Sequence, residues 1–196
     1  MTSLQPTDPQ SPGHPHGEGH NLTGMIIFLC SESVIFLAFF VGYAVLKLSA
    51  PLWLPAGVEA LELRAPLINT LILVSSSFVA WFAEIQLQRG RLWGFRGLWL
   101  LTMAMGSYFV WGQAVEWQGL AFRLQDGVFG GIFYLLTGFH GLHVITGILL
   151  MALMLGRSFR PGNYDGGEAG VSSVSLFWHF VDVIWIVLFL LIYVWR

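Results

Sequence analysis

Seven ionisable side chains lie inside or at the ends of long apolar stretches of this chain: Glu32, Glu84, Glu116, His140, His143, His179 and Asp182. Four of them come as pairs three residues apart. TGFHGLHVITG, residues 137–147, holds His140 and His143, and LFWHFVDVIW, residues 176–185, holds His179 and Asp182. Imidazoles and carboxylates so placed can ligate a metal, clamp a haem, relay protons, or bond one helix to another. Such groups are costly in an apolar span and usually face a protein interior or a pathway.

Helix geometry narrows these options. Residues three apart point about 60° apart on a helical wheel, so His140 and His143 share one side of one helix. They cannot take the two opposite axial positions of one haem. A metal would need a third or fourth ligand; His179 is available, and the lone Cys30 supplies no thiolate pair. Gly138 and Gly141 form an adjacent small face on which another helix can approach closely. The favoured reading is a packing helix whose histidines hydrogen-bond to neighbours. His179 and Asp182 read as an i,i+3 polar pair or as partners of the fourth helix, with a proton relay as the sharper alternative. Trp178 and Trp185, seven apart, predict a packing seam.

Glu32 sits in LCSESVIFLAFF, about ten residues into its run and therefore about 15 Å deep at 1.5 Å per residue. It reads either as a proton-linked site or as an acid hydrogen-bonded to a neighbouring helix. Glu84 and Glu116 lie near the ends of their runs and read as boundary residues, Glu116 being grouped with the structural polar network of His140, His143, His179, Asp182 and Asn69. Asn69, in PLINT, reads as an interhelical hydrogen-bonding residue. The tail sequence GHPHGEGH, with His14, His16, Glu18 and His20, could bind a metal adventitiously; a solvated tail is the plainer reading.

The elements that must carry these residues follow from composition. Of 196 residues, 56% are hydrophobic and only 10% charged, with mean hydropathy +0.70. Soluble domains carry roughly 25% charged residues. Most of this surface must therefore face lipid, and the net charge of −2 gives no sign of a nucleic-acid partner. Residues 1–21 contain no Lys or Arg and no apolar core, which is not the pattern of a secretory signal. They predict a disordered polar tail rich in His, Pro and Gly. Residues 22–196 predict one domain with five apolar runs, at about 22–46, 66–88, 97–117, 128–156 and 174–195. Each is near the roughly 20 residues that cross a bilayer as a helix. Backbone polar groups in lipid must be satisfied within the segment, so the fold class is an all-α membrane protein, a five-transmembrane-helix bundle.

Basic residues set the orientation. With the N-terminus cytoplasmic, the inside loops hold Arg89, Arg91, Arg96, Arg157 and Arg160. The outside set is Lys47, Arg64, Arg123 and Arg196. The compact cluster RGRLWGFR decides for an N-terminus in the cytoplasm and a C-terminus on the opposite side. Trp53, Trp93, Trp117 and Trp195, near run ends, suit interfacial anchoring.

LTGFHGLHVITG and LFWHFVDVIW, with LINT at 67–70, Ser31–Glu32 and DGVFG at 126–130, resemble subunit III of the haem–copper oxidases, most of all the aa3-type cytochrome c oxidases. The resemblance runs from about residue 22 to the C-terminus, and the two histidine motifs together are highly specific. It implies a subunit with no redox centre of its own, with haem and copper in partner subunits. It implies a hetero-oligomeric complex in which the chain contacts subunit I, which it stabilises and supplies with protons, together with subunit II and phospholipids. Glu32 matches the family's buried carboxylate, and His140, His143, His179 and Asp182 match its interhelical polar network. The seven-helix relatives carry two further helices that wall a lipid-holding cleft; this chain matches the last five. A bacterial inner or plasma membrane is implied, or a thylakoid membrane for a cyanobacterial form. Subunit III of the bo-type ubiquinol oxidases is a close cousin with similar histidine motifs. Outside this family, a stand-alone proton channel built on Glu32 and a b-type cytochrome using His143 and His179 are the competing readings.

Overall fold

In a computed structural model the chain is described at residues 17–54, 62–160, 164 and 169–195. Five α-helices account for nearly all of it: α1 (Gly17–Ser49), α2 (Arg64–Gln88), α3 (Leu92–Gly119), α4 (Gly127–Arg157) and α5 (Ala169–Phe189). A π-helical turn, Leu190–Val194, finishes α5 and closes with Trp195 N–H donating to Leu190 O at 2.7 Å.

Each helix outruns its apolar stretch. α1 begins at Gly17 rather than near residue 22, so residues 17–21 of the expected tail are helical; His14 and His16 lie outside the described residues. Similarly, α5 begins at Ala169 rather than near residue 174. Polar first turns cost a helix little where they reach the headgroup layer and water can meet the N–H groups that have no intrahelical partner.

The helix ends follow local chemistry. α2 carries Pro66 in its first turn, where a missing N–H removes nothing from the helix. Its C-terminus turns at Gly90, φ +69°, with Gly90 N–H donating to Leu87 O and Arg91 N–H reaching back to Gln86 O at 2.9 Å. A left-handed residue just past the last turn ends helices in this way and suits glycine. Lys47 lies in the last turn of α1, where the helix dipole favours a cation.

Four helices, α1, α2, α4 and α5, are long and apolar enough to cross a membrane. α3 has 28 residues, a length of about 42 Å, but Arg96, Ser107, Gln113, Glu116 and several glycines dilute its apolar character.

α5 is the centre of the bundle. It packs on α1, α2 and α4, while α3 packs on α2 and α4. In the most apolar window of α5, 56% of residues are buried, against 11% in α1; α1 is an outer helix. Trp178 and Trp185 form the expected seam, both fully buried. Trp178 lies in a slot made by two glycines. A Cβ on Gly106 of α3 would stand 2.5 Å from its ring, and one on Gly147 of α4 would stand 2.8 Å away. The small face expected at Gly138 and Gly141 is only half used: Gly138 meets Trp117, and Gly141 has open space.

Two contacts bring the loops into register. Arg96 Nε–H donates to Ser158 Oγ at 3.1 Å, joining the start of α3 to the end of α4. Lys47 bonds to Trp195 O, joining the end of α1 to the end of the chain's last turn.

Candidate functional site

Among the described residues, the His, Asp and Glu side chains inside the bundle fall into three interhelical sets, plus one isolated histidine. The first joins α1 to α4. His143 Nε2 lies 3.2 Å from Glu32 Oε2, and both side chains are close to nine-tenths buried. The other ring nitrogen, Nδ1, lies 2.8 Å from Phe139 O. A carbonyl only accepts, so Nδ1 carries a hydrogen, and the Nε2–Oε2 contact holds one proton, whichever atom carries it. Phe36, Phe139 and Phe177 surround the imidazole. Ser31 and Ser33, neighbours of Glu32 in sequence, bond instead to the backbone of their own helix.

The second set joins α2 to α5. Ser77 Oγ lies 2.9 Å from His179 Nδ1 and bonds to Asp182 Oδ2. Ser175 Oγ lies 3.4 Å from His179 Nε2. Ser172 donates to Glu84 Oε1. Two indoles complete this seam: Trp178 Nε1–H donates to Ser76 Oγ and Trp185 Nε1–H to Thr70 Oγ1, both at 2.9 Å. His179 and Asp182 therefore bond neither to each other nor to α4, as expected from spacing alone, but to a serine of α2. The pair lies on the side of α5 that packs on α2, and one small hydroxyl reaches both.

The third set lies at the other end of α2, α3 and α5. Tyr193 O–H donates to Glu116 Oε1 at 2.7 Å and Gln113 Nε2–H to Oε2 at 3.1 Å. Glu116 accepts from the end of α5, as the network reading expects, and Glu84 is an interhelical acceptor rather than a boundary residue only: a carboxylate one turn from a helix end still reaches a neighbouring helix. Asn69 meets α3 by packing its amide against Gly112, without a hydrogen bond among the described residues.

His140 differs from its partner in the motif. It is fully buried, tilted against Trp185 at 4.8 Å and edge-on to Phe109 at 5.8 Å. Neither ring nitrogen has a hydrogen-bond partner among the described residues. The expected bond to a neighbouring helix is therefore replaced by ring packing. The angle between positions 140 and 143 sends His143 towards α1 and His140 in between α3 and α5.

Among the described residues no three His, Cys, Asp or Glu side chains are placed to hold a metal ion. The sets can hold protons and pin helices. Sequence reasoning missed Ser77, Ser76, Thr70, Ser172, Ser175 and Tyr193. The triplet Ser75–Ser76–Ser77 within an apolar helix was the available signal.

A family model described as cytochrome c oxidase subunit III matches residues 16–196. The chain is 43% identical over 182 residues to cytochrome c oxidase subunit 3 of Thermostichus vulcanus, covering 92% of this chain and 90% of that one. It is 43% identical over 188 residues to the Synechocystis protein of the same name, covering 93% and 81%. With the Lumbricus terrestris protein of that name it shares 37% identity over 178 residues, covering 88% and 69%.

Proposed function

The chain belongs to the cytochrome c oxidase subunit III family, and from that membership we propose that it supports a proton-pumping respiratory oxidase without handling electrons itself. It is an accessory, membrane-embedded subunit of the oxidase. In this reading it packs against subunit I, meets subunit II and membrane phospholipids, stabilises the catalytic subunit during turnover and aids its proton uptake. Haem and copper belong to those partners.

The observation that carries the reading is how the buried titratable groups are engaged. Glu32 and His143 hold α1 to α4, His179 and Asp182 hold α5 to α2 through Ser77, and Glu116 holds α3 to the end of α5. Their donors and acceptors are directed at one another, which suits a scaffold rather than a redox centre.

The proposal extends to topology. All five helices cross the bilayer, with the N-terminus cytoplasmic and the C-terminus opposite. The Arg96–Ser158 and Lys47–Trp195 contacts support this alternation, since they group the arginine-bearing loops at one end of the bundle and the ends of α1 and α5 at the other. The membrane is a bacterial plasma membrane or a thylakoid membrane.

Mild-detergent purification through an affinity tag on residues 1–16 tests the function. The expected product is a complex with a large haem-bearing partner, with a haem a spectrum and a copper-bearing second subunit. Recovery of the chain alone, or proton flux through liposomes holding only this chain and lost in Glu32→Gln, would replace this reading with that of a channel.

A further inference from the structure

The α2–α5 seam holds a run of polar atoms that does more than join two helices. Ser172, Ser175, His179 and Asp182 form one stripe along α5, and Ser77 and Glu84 face it from α2. The stripe starts near the α2–α3 turn and ends ten residues farther along α5 at Asp182, about 15 Å deeper along the helix axis.

We propose that Ser175, His179, Ser77 and Asp182 form a proton-exchange relay that loads and unloads a proton on Asp182, with water at the α2–α3 end of the seam as source and sink. The bond directions make this workable. Ser77 has one hydroxyl hydrogen and sits between an imidazole nitrogen and a carboxyl oxygen. With Asp182 ionised, Ser77 O–H donates to Asp182 Oδ2, His179 Nδ1–H donates to Ser77 Oγ, and Nε2 accepts from Ser175. A proton arriving at Nε2 reverses every bond. The Nε2–H bond forms and Nδ1–H breaks. Ser77 Oγ takes the Nδ1 proton while its own passes to Asp182 Oδ2. One proton has entered, His179 is neutral before and after, and Asp182 has changed from anion to acid. No heavy atom needs to move.

Asp182 is suited to the role by the inequality of its oxygens. Oδ2 has the Ser77 hydroxyl, whereas buried Oδ1 has no hydrogen-bond partner among the described residues. That environment fits an acid protonated on Oδ2 with Oδ1 as its carbonyl.

Other titratable groups on the elements around α5, His140 excepted, are already engaged. Glu32 of α1 and His143 of α4 hold each other, and Lys47 of α1 bonds to Trp195 O. Glu116 of α3 is bonded by Tyr193, and His140 of α4 lies between rings. Glu84 of α2 accepts from Ser172, at the end where protons would arrive. Glu84 and Ser172 at that end, and Ser77 and His179 deeper in, are partly buried, whereas Ser175 and Asp182 are closed off.

The test is infrared spectroscopy of whatever complex the chain purifies in, read at the carboxylic-acid C=O stretch during pH titration and after transfer to D2O. The readout belongs to Asp182 itself and does not depend on the oxidase reading. The expected result is a band lost in Asp182→Asn that follows bulk pH. Its deuterium shift should slow about 100-fold in Ser77→Ala and recover in Ser77→Thr. If Ser77→Ala does not assemble, His179→Phe breaks the same chain one bond earlier and must slow exchange likewise. An Asp182 band that ignores pH, or exchange as fast in Ser77→Ala or His179→Phe as in the parent, would overturn the relay.

Discussion

Glu32 and His143 meet 3.2 Å apart between α1, an outer helix, and α4, while α1 is also held to α5 by Phe28 on Phe177 and Phe36 on Phe180. The polar pair therefore locks the rotation of α1 rather than supplying all of its adhesion. Glu32→Ala and His143→Ala should each leave the complex assembled and lower its stability by about 1–3 kcal/mol, since each strands a buried partner. The double variant should cost less than the sum, with a coupling of about 1 kcal/mol. Thermal melting of the purified complex measures all four; strict additivity would show that the two groups do not act on each other.

The glycine slot around Trp178 makes a sharper steric prediction. Alanine at Gly106 or Gly147 would place a methyl 2.5 Å or 2.8 Å from the indole, with no flexible side chain end to yield. Each should destabilise by about 1–3 kcal/mol through overpacking. Gly141→Ala, which meets nothing within 4 Å, is the control and should be neutral. Equal melting of the three variants would mean that Trp178 is free to leave its slot.

Such contacts mark the limit of what was legible in the chain. The helices were readable because a backbone in lipid has no partner but itself, so long apolar runs admit few other structures. Their ends were less so: GEGHN reads as tail by composition yet continues α1, and AGVSS reads as loop yet starts α5. The candidate residues were visible by type, because Glu, His and Asp stand out against an apolar background. Their partners were not. Which group His179 meets depends on how α5 is rotated against α2, and neither helix encodes that alone. Ser77 is small and one of three adjacent serines, so nothing distinguished it. The two imidazoles of one motif part ways for the same reason: a 60° turn puts one against α1 and the other among rings.

The indole of Trp185 offers a hydrogen-bond test of the seam between α2 and α5. Its N–H is buried and donates to Thr70 Oγ1, which itself bonds to Pro66 O. Thr70→Val should leave the indole N–H bare and destabilise by about 1–3 kcal/mol, whereas Thr70→Ser should keep the bond. Trp185→Phe placed on Thr70→Val removes the stranded donor, so it should add less than it costs alone. Thermal melting of the set decides it, and an unchanged melt for Thr70→Val would mean that the N–H has another acceptor.

His140 gives a prediction of opposite sign. The residue type suggests a group whose loss should hurt, yet the ring is fully buried against Trp185 and Phe109, with both nitrogens unpartnered among the described residues. A buried polar atom without a partner costs about 1–3 kcal/mol, and that cost disappears when the group becomes apolar with similar shape. His140→Phe keeps a flat ring and the ring packing, and adds little volume, so the complex should melt at or above the parent temperature. His140→Ala should destabilise, because it empties a packed site between three helices; large-to-small changes in cores cost about 2–5 kcal/mol. If His140→Phe instead falls to the level of His140→Ala, the imidazole nitrogens are bonded in the assembled complex and the ring is more than a packing element.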